Sequence, residues 1–166
     1  MQVYDKDKLY EETRHIAARF RNTLGKNIGG ITSELAAYDA ARLLNLKLCD
    51  DSTLSYTAEG SGTRDGKKIL VKGRAIFKEQ KSRQRLGQLN LHTDWDLLLL
   101  VLFDDEFETE EIYEASREEV TEALDTNKEK NNRKGTISVA KFKIIGRLVW
   151  TREEGVIDDE IWDNQR

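Results

Sequence analysis

The chain has 166 residues, with 27 Lys+Arg against 31 Asp+Glu, 2 His and a formal net charge of −4. That length suits one domain with a core large enough to fold alone, and 38% hydrophobic against 35% charged residues exclude a wholly disordered chain. One cysteine (Cys49) and two distant histidines (His15 and His92) exclude an internal disulfide and a Cys/His zinc cluster, weigh against a Cys–His nucleophile, and point to a cytoplasmic protein.

The N-terminal MQVYDKDKLYEE has no apolar signal segment. Asp5–Leu24 reads as an amphipathic helix with Leu9, Ile16, Phe20 and Leu24 near helical spacing, ended by Gly25 and Gly29–Gly30. A second helix is expected from about Thr32 to Leu46, then short strands near Lys47–Cys49, Leu54–Glu59 and Lys68–Arg74. The last two flank GSGTRDG, whose Asp65-Gly66 is a hairpin signal. Lys78–Gly87 reads as a polar, basic loop. Trp95–Phe103 contains the longest apolar run, Leu97–Phe103. This run is far shorter than the roughly 20 residues of a membrane span, so no membrane partner is expected; its length suits a strand buried on both faces, with a short helix as the alternative that periodicity leaves open. Glu111–Ala115 is the expected antiparallel neighbour, reached through the acidic turn Asp104–Glu110. Ser116 with Glu119 forms a capping-box pattern for a helix to about Leu124. Asp125–Gly135 reads as a loop, Ser138–Ile145 as a short helix, Arg147–Trp150 as a final strand and Thr151–Arg166 as an acidic, mobile tail.

Charge is unevenly spread. Residues 1–103 hold 17 Lys+Arg and 13 Asp+Glu, whereas residues 104–166 hold 10 and 18. Basic clusters occur at Lys78, Lys81, Arg83 and Arg85, and at Lys128, Lys130, Arg133 and Lys134. With Arg74, the first cluster is a candidate phosphate-contacting surface, since phosphate contacts are made largely by Lys and Arg and depend on salt. A solvated charged surface is the alternative reading.

The element order carries Ser33-Glu34-Leu35 on a helix, Ser55-Tyr56-Thr57-Ala58 on one strand and Leu70-Val71-Lys72-Gly73-Arg74 on the next. Gln84-Arg85-Leu86-Gly87, Asp96 before LLLLVLF, Glu111-Ile112-Tyr113-Glu114-Ala115 and Phe142–Trp150 (FKIIGRLVW) follow. Together these resemble the restriction-endonuclease-like, or PD-(D/E)XK, nuclease superfamily, within it a little-characterised bacterial branch, over roughly residues 28–150. The resemblance implies an α/β fold with a restriction-endonuclease-like core, a central mixed β-sheet flanked by helices. The chain then divides into an N-terminal helix (1–27), the core domain (28–150) and the acidic tail (151–166).

The resemblance also implies a hydrolytic site in which Mg²⁺ or Mn²⁺ polarises a phosphate and acidifies an attacking water. Glu34 matches the helix acid and Lys72 the catalytic lysine. Thr57 stands where the family carries an Asp, and Leu70 where it carries a Glu or Gln. Glu59, two residues after Thr57, is a substitute carboxylate if the strand continues, so Glu34 and Glu59 are the candidate metal ligands. Buried, Lys72 would need an anion partner such as Glu34. The expected function is a catalytically compromised nuclease-superfamily protein associated with nucleic acid, in DNA binding, restriction, repair or defence. The alternatives are an active metal-dependent hydrolase with a rearranged site and a protein-interaction module. DNA, a protein partner and a second copy of the chain are the partners considered.

Overall fold

The computed structural model describes residues 3–51, 53–77, 84–131 and 135–157, and for residues 3–4 and 126–131 the backbone. Two helices, α1 (Val3–Leu24) and α2 (Ile31–Leu44), precede strands β1 (Lys47–Leu48), β2 (Ala58–Glu59), β3 (Lys68–Ala75), β4 (Leu97–Phe103) and β5 (Thr109–Ser116). Helices α3 (Arg117–Asn131) and α4 (Val139–Ile145) follow, then β6 (Arg147–Thr151) and β7 (Gly155–Val156). The seven strands form one sheet in sequence order. Among the described residues, only β3 and β4 run parallel; all other neighbours are antiparallel. The protein is therefore an α/β structure with a mixed sheet covered by helices on both faces.

The core follows from β3 and β4. In β4 every residue after Leu97 is buried, as its unbroken apolar run requires. Leu99, Val101 and Phe103 enter one cluster with Leu35, Ala36 and Ala40 of α2. Leu98, Leu100 and Leu102 enter a second with Leu86, Val120, Ile137 and Phe142. In β3 burial alternates: Ile69, Val71, Gly73 and Ala75 face α2, so Leu70, Lys72 and Arg74 face the other way. Gly73 lets α2 approach closely; a Cβ there would lie 2.6 Å from Ala36 Cβ and 2.9 Å from the Thr32 carbonyl oxygen.

A buried ion pair fastens α1 to this core. Arg14 and Asp39 are each 1% exposed, with Arg14 Nη2 donating to Asp39 Oδ1 at 2.8 Å. Arg14 Nη1 donates to the Phe107 carbonyl, and Thr109 Oγ1 donates to Asp39 Oδ2 at 2.6 Å. One carboxylate thus links α1, α2 and the β4–β5 hairpin. Ala17 and Ala18 join the cluster under α2, so α1 shares the core of the residues that follow it.

Several local expectations change. The strand expected over Leu54–Glu59 contracts to Ala58–Glu59, because Asp51 Oδ1 accepts from both Thr53 N–H and Thr53 Oγ1 and bends the chain before it. The Ser116–Glu119 capping box forms, with Ser116 N–H to Glu119 Oε1 at 3.0 Å and Glu119 N–H to Ser116 Oγ at 3.2 Å. Its helix runs on to Asn131, although the apolar positions stop at Leu124. The Lys and Glu residues there are good helix formers and need no apolar partner to continue the ladder. β6 is not the final strand: the chain turns over residues 152–154 into β7, where Gly155 has φ 71°, so Thr151, Gly155 and Val156 of the expected mobile tail are part of the sheet. Residues 158–166 lie outside the described residues. In α1, Arg14, Ala17 and Ala18 are buried, while Leu9, Ile16 and Leu24 are 52%, 54% and 57% exposed. Helical spacing identified an apolar stripe, but the Arg14–Asp39 pair selects which face turns inward.

Candidate functional site

The face of β3 away from α2 carries Leu70, Lys72 and Arg74, in register with Leu98, Leu100 and Leu102 of β4. Lys72 and Arg74 are half-buried and lie about 6.6 Å apart along the strand. Burial pushes the Lys72 amine below its usual value, and the Arg74 charge pushes it the same way; burial also lowers Arg74. Arg74 Nε donates to the Arg85 carbonyl at 2.7 Å, and Nη1 donates to the Gly73 carbonyl.

The chain from Gln84 onward covers this side of the sheet. Gln84 Nε2 donates to the Ala75 carbonyl at 2.8 Å, Arg85 bridges Ser138, and Leu86 and Leu89 enter the second cluster. Arg85 Nη2 donates to the Thr136 carbonyl at 3.3 Å, while its buried Nε has no hydrogen-bond partner. Lys72 and Arg74 are therefore neighbouring charges, the Arg85 backbone lies against Arg74, and no carboxylate is paired to any of the three among the described residues. Several other cations have carboxylate partners, whereas the half-buried Arg117, like Arg74, is held by backbone carbonyls. Lys68 pairs with Asp94, Lys143 with Glu111 at 3.6 Å, Arg152 with Asp104 at 2.8 Å, and Arg64 and Arg147 share Glu114. The remaining candidates of the basic cluster, Lys78, Lys81 and Arg83, lie outside the described residues, as do the side chains of the second cluster.

The acidic candidates are not assembled around Lys72. Glu34 is exposed in the first turn of α2, near Tyr10 of α1, whose hydroxyl pKa is raised by burial and by the Glu34 charge. Because α2 packs on the Gly73 face, the sheet separates Glu34 from Lys72, and the anticipated pair between them does not form. Glu59 is exposed and stands opposite Lys68. That is four residues from Lys72, or about 13 Å along the strand. Thr57 lies beside β3, but its Oγ1 accepts from the Val71 N–H at 3.1 Å, replacing a ladder bond where the chain bends away from β2. Leu70 packs against the second cluster.

A hard divalent ion needs several oxygen ligands. Thr57, whose hydroxyl is engaged by the Val71 N–H, and Leu70 do not make a donor set for Mg²⁺ or Mn²⁺. Glu34 and Glu59, on opposite sides of the sheet, do not form one ligand pair. What the arrangement can do is attract an anion. A phosphate or carboxylate would offset the two adjacent positive charges, which now face partial desolvation without a counter-charge.

Sequence reading missed the Arg14–Asp39 pair and the buried Glu114, which holds Arg64 from the β2–β3 loop and Arg147 at the start of β6. Both join residues at least 25 positions apart, and neither has a local motif that could have revealed it. Among the described residues, no helix is long and apolar enough to cross a membrane. Comparison of the chain with protein-family models and with curated proteins finds no match.

Proposed function

We propose that this protein binds the phosphate backbone of nucleic acid on the β3 face carrying Lys72 and Arg74, and that it is a catalytically compromised member of the restriction-endonuclease-like superfamily. The observation carrying this reading is the uncompensated charge of Lys72 and Arg74, half-buried on one strand face, when Lys68 and Arg147 of the same sheet have acidic partners. Loss of catalysis is inferred from Thr57 and Leu70 at the two positions where the resembling family carries metal-binding side chains, with neither Glu34 nor Glu59 beside Lys72. The basic residues Lys78, Lys81 and Arg83 extend the same positive stretch in sequence and would add non-specific attraction.

The test combines binding and cleavage. Fluorescence anisotropy with single-stranded and duplex DNA and with RNA should show affinity falling as salt rises. Lys72→Met and Arg74→Met should each reduce the salt slope by about 0.7 on single strands or about 0.9 on duplex. Cleavage with Mg²⁺ or Mn²⁺ should be absent from the wild type. Cutting by wild type that is lost in Lys72→Ala would replace this reading by an active hydrolase. No binding to any of these nucleic acids at low salt would refute the nucleic-acid reading and favour a protein-interaction module.

A further inference from the structure

We propose that the outer face of α1 is a self-association surface, on which α1 of a second copy lies antiparallel, with the two-fold axis passing near Ile16. This does not depend on the function proposed above. Helix α1 buries its small residues Ala17 and Ala18 and turns larger apolar ones outward. Leu9 and Ile16 are seven residues apart, and Phe20 follows four later, which is the spacing of a helix–helix seam. Ile16, Arg19, Phe20, Thr23 and Leu24 line a shallow groove along this face. An outward stripe of this kind on a helix already docked by its other face marks an interaction surface.

Charge selects the occupant. Glu12 and Arg19 are both exposed, and neither has an ion-pair partner among the described residues. They too are seven residues apart, so both lie on one flank of the stripe. Turning a second copy end for end about Ile16 brings its Arg19 level with position 13 of the first, one residue from Glu12. The two-fold repeats the contact, so each dimer has two Glu12–Arg19 pairs, with Leu9 meeting Thr23 and Leu24 at either end. In a parallel pair, residues of one flank meet the opposite flank of the partner, and Glu12 finds no Arg19. The antiparallel second copy is therefore the partner whose charges match this face.

A helix of 22 residues is about 33 Å long. One such helix pair falls at the small end of specific interfaces, so a Kd on the order of 10 μM is expected. The experiment is sedimentation velocity on the full chain from about 1 μM to about 300 μM, a range that brackets that Kd. Wild type should pass from monomer to dimer, and Ile16→Glu should stay monomeric with an unchanged far-ultraviolet circular dichroism spectrum. Glu12→Arg and Arg19→Glu should each weaken the dimer about five- to tenfold, and the double reversal should restore it, because the two partners then exchange signs. A wild type monomeric throughout, or a dimer indifferent to Ile16→Glu, would overturn the surface. Failure of the double reversal to restore association would overturn the antiparallel arrangement.

Discussion

Replacing Asp39 by alanine strands the Arg14 guanidinium. Both side chains are 1% exposed, and Asp39 supplies the nearest counter-charge, at 2.8 Å. The carboxylates of Glu11 and Glu108 lie farther off, at 3.5 and 3.7 Å, and are half-exposed. The Thr109 hydroxyl would also lose its acceptor. Removing one partner of a buried pair costs about 3–5 kcal/mol, a large part of the roughly 5–15 kcal/mol that holds a typical domain together. With a urea m value of about 2 kcal/mol/M, the unfolding midpoint should fall by about 1.5–2.5 M. The triple replacement Arg14→Met/Asp39→Leu/Thr109→Val removes the charges together. It should recover most of that loss, leaving chiefly the Phe107 carbonyl without its donor, at about 1 kcal/mol. Equilibrium urea unfolding followed by circular dichroism measures both. A midpoint shift below about 0.5 M for Asp39→Ala, or a triple variant less stable than the single one, would refute the assignment of this pair as the fastener of α1.

Two further predictions concern packing and alkaline pH. Gly73→Ala places a Cβ 2.6 Å from Ala36 Cβ and 2.9 Å from the Thr32 carbonyl oxygen; it should cost about 1–3 kcal/mol, read as a lower urea midpoint, and an unchanged midpoint would contradict the close approach of β3 and α2. The Tyr38 hydroxyl is pushed up to about 12 by burial and then by its hydrogen bond to Asp7. Tyr113 is pushed up to about 12 by burial and then by the Glu111 charge. Since both folded values are raised, the stability they contribute is complete below the ordinary tyrosine value of 10.0 and is lost as pH climbs through about 12. Urea midpoints should therefore decline over that window, and Tyr38→Phe/Tyr113→Phe should flatten the decline; an equally steep fall in the double variant would exclude these hydroxyls as its source.

Periodicity and local hydrogen-bonding chemistry made much of the framework readable from the chain. The apolar run Leu97–Phe103 can only be satisfied with cover on both faces, and it became the centre of the sheet. The Ser116–Glu119 box acts within three residues, so its donors and acceptors are visible in sequence. The Asp65-Gly66 hairpin signal works over a similarly short range, with Gly66 at φ 76°. Alternation in β3 likewise put Leu70, Lys72 and Arg74 on one face. The tertiary structure alone decided what that face meets. It set Glu34 behind the sheet and Glu59 well along it, and it brought the Arg85 carbonyl to Arg74. It also chose the buried side of α1 through Arg14 and Asp39, because hydrophobic spacing defines a stripe, whereas the partner of a buried charge depends on elements distant in the chain that only folding brings together.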